Sequence, residues 1–579
     1  DTVYLKTVSG LKRVHAILRR LDDDFCDPVE LRADSALGIP GLLSAVRAGR
    51  VLVANALGSG LLESAALPGF LPGISRHLLG EELAMPSVAT WWCGEEPALA
   101  EVIKNIKDLV IKPTFPGGSS EVIFGDQLND EQLAALTRRI EADPSAFVAQ
   151  ELVKLSRAPA WSGGQRRKLL TRAMGLRVYA AITPEGYSVL PGGLARVAGM
   201  DNTRILTMQK GGSSKDTWVL SDGPVSTFSL LHNTIRMDDL INETGTLSSR
   251  LAENLFWFGR YGERCDAVAR LARLALSRLS EGRRTERAGA LSMMLELAAG
   301  AGLVEKDVAT LPLAKAELDL FRAVLDRRAD SGLAANLQRL TWCATQAREH
   351  LSLDHWHALK RLSADLESAR GRVSDVSALL EFLDEALTTF VSLSGFAMDN
   401  MTRDMGWRLH IVGRRIERLD TLAGSLARFL RRHVDIAGPL QRELAVEALL
   451  ELCDSIITYR TRYRAQPELL PAIHLLTMDG ANPHALAFQV RMLTNYLRNF
   501  EMDGNELGID ELDASYAALQ RFPWAKLEAT VPEDERAEAT LALADHLDHL
   551  TRAGRALSDR LAMRFFSHVG GAGQATFAA

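Results

Sequence analysis

At 579 residues the chain is too long for one hydrophobic core, and at roughly 100–200 residues per domain it should divide into two to four. Its 47% hydrophobic and 24% charged residues are ordinary for globular proteins, and 67 basic against 73 acidic residues leave a formal charge of -6, which gives no reason to expect nucleic acid as a partner. Five scattered cysteines without C-x-x-C spacing argue against disulfides or a thiolate zinc site and fit a reducing cytoplasm, and no run of about 18 apolar residues suits a membrane span.

The chain opens on "DTVYLKTVSG", which has no Met, no charged n-region before an apolar stretch, and an immediate strand-like alternation. Such a start suggests a beginning inside a domain. Up to about residue 235, short apolar runs (Val51–Ala54, Leu109–Ile111, Phe147–Ala149, Leu176–Ile182, Tyr187–Leu190) alternate with helical patterns and are broken by Gly, Pro, Asp and Ser, which predicts an α/β domain over 1–235. Near its start Arg19-Arg20 precede the acidic turn Asp22-Asp23-Asp24, and "VANALGSG" from Val53 sets Asn55 at a Gly-containing loop. Arg20, Asp23, Asp24 and Asn55 are candidates for a substrate or interdomain contact, with a solvated turn as the plainer reading.

The stretch "VIKPTFPGGSS" takes an apolar strand into Lys112 and then into the loop Gly117-Gly118-Ser119-Ser120. Glycines let backbone N–H groups approach anionic oxygens, and a lysine at a strand end adds a compact positive charge. A surface turn explains the loop equally well, and neither it nor its echo "KGGSSK", from Lys210 to Lys215, is a Walker A or G-x-G-x-x-G sequence. Next, "FVAQELV" forms an apolar strand carrying Gln150 and Glu151, able to bond an adenine through its backbone and a ribose hydroxyl through Glu151. Alternation through Leu176, Val178, Ala180 and Ile182, a turn at Thr183-Pro184-Glu185-Gly186 and a further strand after Gly193 predict a hairpin that sets Arg177 and Arg196 on neighbouring strands. Lys112 could face them across a cleft, or both arginines could be exposed strand charges.

From about 247 to 560 proline becomes rare and Ala, Leu, Arg and Glu repeat at helical period, which predicts an all-α domain; the uncharged tail 561–579 reads as disordered. The helical part is duplicated. "WFGRYGERCDAVARLARL" returns as "HIVGRRIERLDTLAGSLARF", so that Gly-Arg-x-x-Glu-Arg-x-Asp recurs from Gly259 to Gly413, an offset of 154 residues. Moving the apolar stripe Leu251, Leu255, Phe258, Gly262, Cys265, Ala269 by that offset gives Met405, Leu409, Val412, Ile416, Leu419, Ala423, all apolar. "LAANLQRL" likewise pairs with "LAFQVRML" at an offset of 153, so two related bundles, about 248–395 and 401–555, are expected. Arg260, Glu263 and Arg264, with Arg414, Glu417 and Arg418, form either exposed intrahelical ion pairs or a pseudo-symmetric polar cluster in which each glutamate meets arginines across the bundle. The histidine pairs His355/His357 and His546/His549 read as surface or capping residues rather than metal ligands, and no metal ligand is assigned.

Together "VIKPTFPGGSS", "FVAQELV", "GLRVYAAITPEGYSVLPGGLARVA" and "MQKGGSSKDTWVL" resemble the circularly permuted ATP-grasp proteins related to glutathionylspermidine synthetase. "SSRLAENLFWFGRYGERCDAVARLARL", its echo at Gly413 and "ITYRTRYRAQPE" are similar to the helical alpha-E domain often fused to them. The resemblance implies an ATP-grasp-like α/β module, N-terminally incomplete, followed by a duplicated helical bundle. It implies a carboxylate–amine ligase that makes an acyl phosphate from ATP, acting on a peptide or amino-acid-like substrate, with peptide tagging as one role. By position, Lys112, Gly117, Gly118, Ser119, Ser120, Gln150 and Glu151 would hold ATP, Arg177 and Arg196 would stabilise the phosphoryl group, and Lys215 would join the substrate or interdomain set. The family's Glu-Asp-Asn strand and the Arg-x-Pro-Ser-Gly stretch after it, which hold magnesium, do not occur in this sequence, so Mg2+ is expected only with an upstream segment. That departure leaves a second reading, a non-catalytic interaction protein that recruits a protein partner through its helices.

Overall fold

The computed structural model describes residues 2–115, 122–162, 168–199, 206, 212–225, 247–281, 288–308, 311–373, 375–498 and 507–566. The expected loop at 117–120, most of the domain junction and the tail beyond 566 lie outside them. Contacts divide the chain into two compact units, one of Asp1–Val3 with Val14–Asn242 and one of Tyr4–Arg13 with Glu243–Ala579. The hairpin β1 (Tyr4–Thr7) and β2 (Gly10–Arg13), read from sequence as part of the α/β domain, therefore groups with the helices. The Val8 N–H donates to the Leu247 carbonyl at 3.1 Å, and Thr7 bridges to Ser248.

In the first unit β3 (Ala16–Leu18) and β4 (Leu52–Ala54) pair in parallel, with α1 (Leu42–Arg47) between them in sequence, and Val3, Cys26, Leu42, Ala45, Val51 and Val53 form a small core. After α2 (Leu67–Leu79) come β5 (Thr90–Trp92), α3 (Glu96–Lys104), β6 (Leu109–Pro113), β7 (Ile123–Phe124), α4 (Asp130–Ala142) and β8 (Phe147–Glu151). These strands make one antiparallel sheet in the order β5-β8-β6-β7. Ile111 and Ala149, partners in register, pack with Val102 of α3 and Leu133, Leu136 and Ile140 of α4. The side-chain alternation of a strand sends Lys112 to the opposite face. A capping box starts α4: Gln132 N–H donates to Asn129 Oδ1 at 2.9 Å, and Asn129 N–H to Gln132 Oε1 at 3.0 Å.

A second antiparallel sheet has the order β14-β13-β10-β9, from β9 (Arg157–Ser162), β10 (Lys168–Arg177), β13 (Gly192–Val197) and β14 (Ser213–Trp218). The continuous strand expected over 176–182 is broken at Val178-Tyr179, so β11 (Ala180–Thr183) and β12 (Gly186–Val189) form their own ribbon. Thr183 pairs with Gly186, which closes the turn at a φ of 115° that favours glycine.

The second unit is helical. Its first half runs α5 (Ser249–Glu281), α6 (Ala288–Gly300), α7 (Leu313–Leu325), α8 (Leu333–Gln346), α9 (Leu353–Arg372) and α10 (Val376–Asp399). Its second half runs α11 (Met405–Val434), α12 (Pro439–Leu452), α13 (Ile456–Tyr463), α14 (Leu469–Thr477) and α15 (Leu486–Arg498), then helices Ile509–Gln520 and Glu533–Leu561. The long helices α5 and α11 pack on each other at the centre, and the contacts are duplicated around them. Helices α8 and α10 pack on α5 as α15 and Glu533–Leu561 pack on α11, while α6 meets its counterpart α12. Among the described residues no helix is long and apolar enough to cross a membrane.

Candidate functional sites

On β6, Lys112 stands opposite Val148 in register and donates from Nζ to Gln150 Oε1 at 2.6 Å. Gln150 is buried and donates in turn from Nε2 to Thr90 Oγ1 at 3.2 Å, so β6, β8 and β5 are tied across one face of the sheet. Thr90 is a member of this chain that composition gave no means to find. The Glu151 carboxylate accepts from the Ala89 N–H at 3.3 Å and stays exposed. Lys112 is half-buried and burial lowers its pKa, because removal from water penalises the ammonium. Gly117, Gly118, Ser119 and Ser120 lie outside the described residues.

Arg177 and Arg196 lie on the adjacent strands β10 and β13, where Arg177 pairs with Leu194 and Gly175 with Arg196. This register sets both arginines on one face of the sheet. Arg177 is exposed; Arg196 is half-buried, and its buried Nε has no acceptor among the described residues. Lys215 pairs with Ala195, one residue out of step with Arg196, so it occupies the other face and its ammonium reaches the Pro159 carbonyl.

The acidic turn is organised by Arg19 rather than Arg20. Arg19 pairs with Asp23, donates to the Asn55 carbonyl at 3.1 Å and reaches Ser59 Oγ at 2.9 Å, while Asp23 accepts from the Gly60 N–H at 2.9 Å. The loop after β4 is therefore fixed to the turn after β3. Arg20, Asp24 and the side chain of Asn55 are exposed.

In the helical unit both glutamates of the repeated element are buried, and each pairs with the other helix. Glu417 accepts from Arg260 Nε at 2.7 Å and from Arg264 Nε at 2.6 Å; Glu263 accepts from Arg414 Nε at 3.0 Å and from Arg418 Nε. Each contact has its partner at the 154-residue offset. Burial alone would raise the Glu263 pKa, but the Arg418 and Arg414 guanidiniums hold the carboxyl below its usual range. Breaking such a pair from one side typically costs about 3–5 kcal/mol. The exposed intrahelical ion pair is not formed because α5 and α11 are enclosed on all sides, so positions off the apolar stripe are buried too. The helices come close enough for this at two glycines: a Cβ on Gly259 would sit 2.1 Å from the His410 carbonyl oxygen, and one on Gly413 2.2 Å from that of Phe256.

The histidine pairs separate. His355 is buried and His357 exposed, and Asp545 and Asp548, beside His546 and His549, both take Arg431, at 2.8 and 2.5 Å. Among the described residues no three His, Cys, Asp or Glu side chains converge to hold a metal ion.

Comparison with known proteins divides the chain at a similar place, except that the first match includes the hairpin Tyr4–Arg13, which by contacts groups with the helices. Residues 1–198 match the family described as circularly permuted ATP-grasp type 2, and residues 247–566 match Alpha-E, described as a predicted alpha-helical domain with a conserved ER motif. Glu263-Arg264 and Glu417-Arg418 are the two Glu-Arg pairs at the helix crossing. An uncharacterized protein of Mycobacterium tuberculosis is 30% identical over 567 residues, 94% of this chain, which spans 62% of that relative's length. Uncharacterized proteins of Mycobacterium leprae and of Synechocystis are 37% and 36% identical, each over 38% of this chain and covering 39% and 45% of the relative. The chain belongs to the family in which a circularly permuted ATP-grasp type 2 domain is followed by an Alpha-E domain.

Proposed function

We propose that the protein is an ATP-dependent carboxylate–amine ligase, in which Lys112 faces the phosphates, Gln150 and Glu151 flank the adenosine, and Arg177 and Arg196 take up charge on the transferring phosphoryl group. The observation that carries this reading is the state of Lys112, a half-buried ammonium whose hydrogen-bond partner is a neutral amide. A cation drawn out of water without a counter-charge is costly, and an anion placed against it compensates the loss. The buried Arg196 Nε, which has no acceptor among the described residues, repeats the pattern. Membership of an ATP-grasp family supports ATP as that anion.

ATP would supply the phosphoryl group that activates a carboxylate; ADP leaves, and an amine then displaces phosphate to give an amide. Fixed positive charge favours that transfer, and a site closed to water protects the acyl phosphate from hydrolysis. Magnesium has no donor set among the described residues, and the reading gives it no ligand in this chain. The substrate class is peptide or amino-acid-like.

Calorimetric titration of the chain with ATP is the test. Lys112→Ala should weaken binding about ten- to hundredfold, the usual range for losing a charge-assisted hydrogen bond, and amine-dependent ADP release should vanish in Arg177→Ala. Absence of nucleotide binding, with Lys112→Ala indistinguishable from the parent, overturns the reading.

A further inference from the structure

On the Glu263 side of the α5–α11 crossing the helices leave a cavity of about 270 Å3. That is close to the lower limit of small-molecule pockets, roughly 300 Å3, and far above the roughly 30 Å3 of one water. Its charged lining is Glu263, Asp266 and Asp454 against Arg270, Arg414 and Arg418, three carboxylates and three guanidiniums. The wall as a whole carries no net formal charge.

The arginines are only partly engaged. Arg414 and Arg418 bond Glu263 through Nε, and Arg270 bonds Asp266 through Nε at 2.8 Å. Among the described residues the terminal amino groups of Arg414 and Arg418 have no hydrogen-bond acceptor. His484 also lines the wall and faces Asp454 at 3.8 Å, and among the described residues two further histidines are unpartnered there: His355, 1% exposed, has no partner on either ring nitrogen, and His410, 5% exposed, has none on Nδ1. Buried polar atoms are nearly always satisfied, so unpartnered ones lining a cavity mark the place of an absent partner. Burial pulls the two pKa values down to about 4 and about 3, which leaves neutral rings that can each donate and accept. Phe258, Leu340 and Phe390 supply an apolar side to the same space.

The duplication acts as an internal control. At the 154-residue offset His410 corresponds to Phe256 and Arg270 to Gly424, so the ion-pair core is repeated but these cavity groups are not. On the other side Ser558 takes Arg260 at 2.7 Å, and Arg555 pairs with Asp420 at 2.7 Å. Holding two helices together needs the repeated part alone.

We propose that this cavity binds a small zwitterion of no net charge, the chemistry of a free α-amino acid, whose carboxylate takes the open donors of Arg414 and Arg418 and whose ammonium faces Asp266 and the His355 ring. A net anion such as phosphate would leave an uncompensated buried charge against this balanced wall. The site is independent of the nucleotide reading, and its test needs no ATP. The chain is titrated calorimetrically with the common amino acids, then with the amide and the N-acetyl derivative of whichever binds, and with inorganic phosphate. The expected result is saturable binding of a neutral amino acid, weakened about ten- to hundredfold when either charged end is blocked and about tenfold or more in Asp266→Asn. The blocked derivatives keep the test valid if that variant misfolds. No saturable binding at millimolar amino acid, equal binding of the blocked derivatives, or a preference for phosphate overturns the proposal.

Discussion

Lys112 follows Leu109, Val110 and Ile111 on β6, all three buried, so its ammonium is drawn part of the way out of water with them. Burial lowers its pKa from the ordinary 10.5, and the neutral Gln150 amide does not reverse the shift. An anion needs the protonated form, so affinity for ATP should be complete at neutral pH and fall as the pH rises through the lowered value, earlier than an exposed lysine would allow. Titrations between neutral pH and about pH 10 should show this decline in the parent and its loss in Lys112→Arg, whose guanidinium stays charged throughout. A flat profile in the parent removes Lys112 from the phosphate contact. This lysine was legible in the sequence because an apolar run led into it. Arg19 was not, since Arg19 and Arg20 are chemically alike and only the chain's path shows which one meets Asp23 and the loop after β4.

At the scale of elements, the crossing of α5 and α11 reverses an ordinary rule. Within a helix, Gly costs about 1 kcal/mol relative to Ala, so replacing an exposed helical glycine stabilises. At Gly259 the added methyl would meet the His410 carbonyl oxygen at 2.1 Å and at Gly413 that of Phe256 at 2.2 Å, contacts with backbone that cannot step aside. Gly259→Ala should therefore destabilise the helical unit by about 1–3 kcal/mol, the range for overpacking, read as a lower urea midpoint with an unchanged slope. Gly424→Ala, where the space is open, should be neutral or stabilising and serves as the control. The duplication that leads to these glycines could be read directly, because a glycine, two arginines and a glutamate returned in the same order. Burial of Glu263 could not, because an apolar stripe reports one face of a helix and says nothing of a helix enclosed on every face. The same limit applies to strands: alternation ran unbroken through 176–182, yet pairing changes at Val178-Tyr179, where β10 leaves its sheet and β11 begins a separate ribbon.

Across the whole molecule the large core belongs to the helices, and that core encloses groups that respond to acid. His355, His410 and His433 are buried, and burial holds their pKa values at about 4, about 3 and about 4. Unfolding returns each to about 6.5, so below that pH the unfolded chain binds protons that the folded chain does not, and stability falls as the pH drops toward 4. By pH 5 each histidine should cost on the order of 2 kcal/mol. Asp266 opposes them, since burial and the neighbouring Glu263 raise its pKa, but His484, half-buried and held at about 4 chiefly by burial, adds to the three, so it is one group against four. Glu263 acts in a lower window: its stabilisation is complete above the ordinary carboxylate range and is lost only as the pH falls through its depressed value. The helical unit should thus lose stability well before its carboxylates protonate. Urea unfolding followed by helical circular dichroism at pH 7.5 and at pH 5 should show a large drop in the midpoint, and His355→Phe, set among the rings of Phe258 and Phe396, should remove part of it. Equal midpoints at the two pH values would mean that these rings are protonated or hydrated in the folded state, and the low-pH weakness of the helical core would have to be abandoned.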